Sequence, residues 1–118
     1  MTDDMRCQKA EEVKKLANQA FREQRFDEAL VHYKEASTFV SKLSMYTAET
    51  QTLRRTLLQN VALTMTKTGD YAEAISNATA AMQIDMDNSA KALYLRSVAN
   101  LHLKKFTDAM DDCRQAIQ

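Results

Sequence analysis

The side chains able to do covalent or metal chemistry are few and scattered along the chain. His32 and His102 each stand alone, with no Cys or His at metal-ligand spacing, so no metal site is expected. Cys7 and Cys113 lie near opposite ends of the 118 residues, and no C-x-x-C pair exists. They read as two reduced thiols rather than a disulfide. Asp111-Asp112 and Glu11-Glu12 are carboxylate pairs, but on short helices such pairs are solvated faces or i,i+4 partners. A glycine-rich phosphate loop, G-x-S-x-G and H-E-x-x-H are all missing. The chain therefore reads as non-enzymatic and without a cofactor. Two polar placements can be read directly from the spacing. Lys14 and Asn18 stand four apart, on one face if the segment is helical. Asn60 is a polar residue in the largely apolar stretch from Leu57 to Met65.

The elements that must position these donors follow from composition. One glycine and no proline in 118 residues argue against a sandwich or barrel, whose tight turns consume both. Ala, Leu, Lys, Glu, Gln, Met and Arg dominate, and these are the best helix formers. The fold class is all-α. Sixteen basic residues balance sixteen acidic ones, so no basic surplus points to nucleic acid. No apolar run approaches the ~18–20 residues of a membrane span. The polar, acidic start Met1-Thr2-Asp3-Asp4-Met5-Arg6 does not read as a secretory signal. A cytoplasmic protein is expected.

The chain repeats itself. Ala29, Ala74 and Ala109 each have an aromatic three residues before them (Phe26, Tyr71, Phe106). Each has a second alanine seven residues later (Ala36, Ala81, Ala116) and a small residue twelve before (Ala17, Ala62, Ser97). Small residues on facing helices allow close antiparallel approach, and the aromatic plugs the gap at the turn. The pattern predicts six helices near 7–23, 27–42, 48–67, 71–84, 89–103 and 106–118. Gly69 suits a left-handed helix end. The first and third copies lack that glycine, and less ideal turns are expected there. The seven methionines are expected to fill gaps between repeats.

These columns resemble the tetratricopeptide repeat, a helix–turn–helix unit of ~34 residues stacked into a right-handed solenoid. Lys14-Lys15-Leu16-Ala17-Asn18-Gln19-Ala20-Phe21 is similar to that family's K-x-x-G-N-x-x-F opening, with Ala17 for the glycine. Arg25-Phe26-Asp27-Glu28-Ala29 and Tyr33-Lys34-Glu35-Ala36 resemble its second helix, and Lys91-Ala92-Leu93-Tyr94 resembles the opening of a third repeat. The resemblance implies a single domain with repeats at about 9–42, 48–85 and 89–118. The spacing of 45 between the first two copies, against 35 between the next two, resembles the longer helices of immunophilin-type co-chaperones.

Members of that type bind the C-terminal -EEVD tail of cytosolic heat-shock chaperones of the 90-kDa or 70-kDa class. They hold its terminal carboxylates with two lysines, two asparagines and an arginine, since converging charge-assisted donors suit a dicarboxylate. The resemblance assigns four of these roles here, to Lys14, Asn18, Asn60 and Lys91. The fifth position departs: Leu95 stands where the arginine is expected. Arg96 follows, but one residue turns a helical side chain by about 100°. Leu95 either puts an apolar group where the tail passes or is another packing residue, and two readings of the groove stand: a partial clamp that still binds chaperone tails, or a groove retuned for another peptide. A third is the targeting domain of a larger immunophilin-type protein. Phe106, Met110, Cys113 and Ile117 form an apolar stripe on the last helix with no capping helix after it. That end is expected either to belong to a longer protein or to support self-association.

Overall fold

A computed structural model of the chain describes residues 1–116. Six α-helices follow one another: α1 (Asp3–Arg22), α2 (Phe26–Ser41), α3 (Ala48–Thr68), α4 (Tyr71–Ile84), α5 (Ala90–His102) and α6 (Phe106–Ala116). A single 3-10 turn, Met86–Asn88, precedes α5. Each helix packs antiparallel on the next, and α1 with α3 and α3 with α5 also touch. The first helices of the three pairs thus form an inner layer. The stack measures 45 × 31 × 18 Å, and no helix among the described residues is long and apolar enough to cross a membrane.

Local chemistry sets the helix boundaries. The first helix begins at Asp3, four residues earlier than periodicity placed it, because the Thr2 hydroxyl accepts from the Met5 N–H and Asp3 and Asp4 fill the first turn. Thr47 and Thr50 cap α3 reciprocally. At 21 residues α3 is the longest of the six, which accounts for the wide first spacing of the repeats.

The three pair-closing turns share one geometry. Gln24, Gly69 and Lys104 take φ of 61°, 89° and 62°. The next residue's N–H then bonds five residues back: Arg25 to Ala20, Asp70 to Met65 and Lys105 to Asn100, at 2.8, 2.9 and 2.8 Å. The first and third turns are therefore as regular as the second. Their side chains occupy a left-handed conformation that glycine takes at no steric cost.

The alanine columns close the helix pairs as the pattern requires. Ala17, Ala29, Ala36, Ala62, Ala74, Ala81 and Ala109 are all buried. One apolar cluster runs from Ala10 and Val13 through Tyr33 and Leu57 to Met65; a second gathers Ala62, Ala78, Met82, Leu93 and Leu95. The aromatics diverge. Phe26 meets Phe21 edge-on at 5.2 Å and Tyr71 stacks on His102 at 4.4 Å, whereas Phe106 is 59% exposed. The expectation for methionine fails for five of seven. Met65 and Met82 are buried, but Met1, Met5, Met45, Met86 and Met110 are exposed, since their positions fall on outer faces, loops and the chain start. Cys7 and Cys113 are both free. Ile117, the end of the expected stripe, lies outside the described residues.

Candidate peptide-binding groove

The inner layer places the sequence-derived donors on α1, α3 and α5. Asn18 and Asn60, from different repeats, line one cleft of about 210 Å3 with Phe21, Arg22, Tyr33 and Leu63. Tyr33 rises from α2 beneath it, 3% exposed, and its phenol donates to Asn18 Oδ1. An amide whose oxygen is engaged presents its N–H pair outward. Asn18 therefore offers donors to the cleft, which suits a carboxylate. Burial raises the Tyr33 pKa, and the nearby Arg22 charge opposes that rise, so the phenol keeps its proton at neutral pH.

Lys14 lies one turn before Asn18 and is half-buried, with Nζ 3.2 Å from Glu11. Lys91 is exposed at the start of α5 and has no ion pair among the described residues.

Leu95 does not stand in a ligand's path. It is 4% exposed and packs in the cluster of Ala62, Ala78, Met82 and Leu93. Of the two roles open to Leu95, its burial fits that of a packing residue, set among the small Ala62 and Ala78 and beside Met82 and Leu93. Arg96 faces the other way. Its Nε and Nη2 bond both oxygens of Asp112 on α6 at 2.8 and 2.6 Å, and Nη1 reaches Thr79 on α4 at 3.1 Å. Asn100 adds a bond to the same carboxylate at 3.2 Å. Asp112 is thus buried and fully engaged, not the solvated half of an acidic pair. The Arg96 guanidinium ties three helices together and is withdrawn from the groove.

Sequence reasoning missed Arg22 and Tyr33. Arg22 carried a usable signal, since Lys14, Asn18 and Arg22 step by four along one helix face. Tyr33 carried none beyond its packing role, because its bond to Asn18 depends on how α2 crosses α1.

Among the described residues no three His, Cys, Asp or Glu side chains gather as a metal cluster. The groove offers hydrogen-bond donors and charge.

No protein-family model matches the chain. Peptidyl-prolyl cis-trans isomerase D of Kluyveromyces lactis is 30% identical over 115 residues, covering 90% of this chain but 31% of that protein. The chain thus spans about a third of the length of that relative. Among solved structures, a C-terminal TPR-containing domain of a Plasmodium falciparum protein described as FK506-binding superposes with a TM-score of 0.88 at 29% identity, over 98% of this chain and 80% of that one. The first TPR of Spaghetti, solved with the HSP90 peptide SRMEEVD, superposes with a TM-score of 0.77 at 22% identity, over 94% and 79%. The Arabidopsis OM64 TPR domain gives 0.80 at 24% identity, over 95% and 83%. The fold is the all-α solenoid of tetratricopeptide-repeat domains, with six helices among the described residues.

Proposed function

We propose that the chain is a non-catalytic interaction module of co-chaperone type, acting in the cytoplasm, that binds the acidic C-terminal -EEVD peptide of heat-shock chaperones. Lys14, Asn18, Asn60 and Lys91 form a partial carboxylate clamp in this reading. The observation that carries it is the shared cleft of Asn18 and Asn60, with Tyr33 fixing Asn18 as a donor. Solved relatives of the same fold that hold the HSP90 peptide SRMEEVD support it. The likeness to a peptidyl-prolyl isomerase and to a domain of an FK506-binding protein supports membership of a larger immunophilin-type protein.

Isothermal titration with acetyl-MEEVD, as the free acid and as the C-terminal amide, tests the clamp. The account expects binding of the acid and much weaker binding of the amide. Equal binding of both, or none, contradicts it.

A second reading, self-association through α6, is favoured by one observation. Phe106 and Met110 are exposed, and Leu101, Ala109, Met110 and Cys113 line an apolar groove of about 300 Å3. Light scattering across a concentration series tests it: a mass that rises with concentration supports this reading, and a constant monomer mass removes it.

A further inference from the structure

The cleft of Asn18 and Asn60 also contains a cation that the clamp pattern does not name. Arg22 lines it beside Phe21, Tyr33 and Leu63. Arg22 is exposed, and its one side-chain bond goes to Gln19 Oε1 at 3.1 Å. No carboxylate stands within ion-pair distance of it among the described residues. Its neighbour Glu23 is held by Gln19 and Arg25. Lys91 on α5 is also unpaired among the described residues, but it carries an ammonium and not a guanidinium. Lys14 is shared with Glu11, Arg96 is locked onto Asp112, and Leu95 brings no charge. The guanidinium open to a ligand is therefore on α1 and not on α5.

Helix geometry then sets what Arg22 can read. Arg22 follows Lys14 by eight residues on one face, about 12 Å at 1.5 Å per residue. An extended peptide rises about 3.3 Å per residue, so that span corresponds to between three and four peptide residues. If the peptide runs along α1 from terminal carboxylates at Lys14 and Asn18, the side chain three residues upstream comes to the level of Arg22. We propose that Arg22 is a specificity-determining residue of this groove, pairing with an acidic side chain three residues before the peptide's C-terminus. This rests on the clamp reading above and deepens it. In -MEEVD that residue is the first glutamate. A planar guanidinium over a carboxylate gives the bidentate geometry that the α5 position lacks.

The test is a double-mutant cycle by isothermal titration. It uses the wild-type chain, Arg22→Gln and Arg22→Lys against acetyl-MEEVD and acetyl-MQEVD, with Lys15→Gln as the charge control. Arg22→Gln is expected to weaken acetyl-MEEVD about 10-fold or more, the scale of a lost charge-assisted bond. The wild type is expected to lose the same factor on acetyl-MQEVD, and Arg22→Gln to lose nothing further. Arg22→Lys should keep part of the affinity, and Lys15→Gln should change it less than about twofold. Thermal melts by circular dichroism establish that the variants are folded. Unchanged binding by Arg22→Gln, or equal loss for both peptides, overturns the Arg22 assignment while the acid-against-amide contrast leaves the clamp standing. No binding of acetyl-MEEVD by the wild type overturns both.

Discussion

The bond from the Tyr33 phenol to Asn18 Oδ1 joins α2 to α1 beneath the cleft, and it rests on one hydroxyl. Tyr33→Phe removes that hydroxyl and leaves the ring in the core. The net worth of one such bond to folding is about 0.5–1.5 kcal/mol, so the melting temperature should fall by a few degrees, and peptide affinity should fall as Asn18 loses its anchor. Titration calorimetry beside a thermal melt separates the two effects. Asp3 works at the same scale. Its carboxylate accepts from the backbone N–H of Ser44 at 3.0 and 3.1 Å and of Met45 at 3.3 Å, tying the chain start to the α2–α3 loop. The Ser44 N–H, foremost, holds its pKa below the ordinary carboxylate value, assisted by the Met45 N–H and Arg6. A depressed native pKa means that the contribution to stability is present above the unfolded value, near pH ~3.9. It is lost as pH falls through the native value. Urea midpoints of the wild type and Asp3→Ala should therefore differ at pH 7, begin to converge as pH falls below about 3.9, and meet only below the depressed native value. Lys14, Asn18 and Asn60 were singled out through the resemblance to the repeat family, and spacing alone showed only that the first two share a helix face. The Asp3 tie spans 41 residues and no local pattern announces it.

Whole helices and turns were the most legible part of the molecule, because the alanine columns record close packing directly. The turns were less so: only Gly69 announces its left-handed backbone, while Gln24 and Lys104 adopt it without a sequence signal. A Cβ added at Gly69 would meet nothing within 4 Å, so Gly69→Ala isolates the backbone cost. A loss of about 1–2 kcal/mol is expected. Gln24→Gly and Lys104→Gly, both at exposed positions, should gain, by less than that because glycine also frees the unfolded chain. Urea denaturation of the three variants checks the sign of each. Leu95 is a warning of the same kind. Its register is that of a groove residue, yet the small side chains of its cluster, Ala62, Ala78 and Ala92, leave room for it in the core. Leu95→Ala should cost about 2–5 kcal/mol as a cavity, read from the same curves.

At the scale of the whole molecule, the solenoid holds its last repeat through charge as well as apolar packing. Arg96, Asp112, Thr79 and Asn100 join α4, α5 and α6. Only the helix pairing was readable from sequence; that Asp112 turns inward depends on α6 docking where Arg96 awaits it. Removing one partner of a buried ion pair costs about 3–5 kcal/mol. Asp112→Ala should therefore loosen α6 before the rest, seen as amide exchange that accelerates in α5 and α6 and little in α1 and α2. The same withdrawal of Arg96 leaves the inner layer with its open donors on α1, α3 and the start of α5, which is the arrangement a peptide would meet. The most direct measurement is a titration of the isotope-labelled chain with acetyl-MEEVD, following the side-chain amide signals of Asn18 and Asn60 by NMR. Both pairs of N–H signals should move together and saturate at one peptide per chain. Movement confined to α6 or to the outer helices, with both asparagines silent, would contradict the clamp.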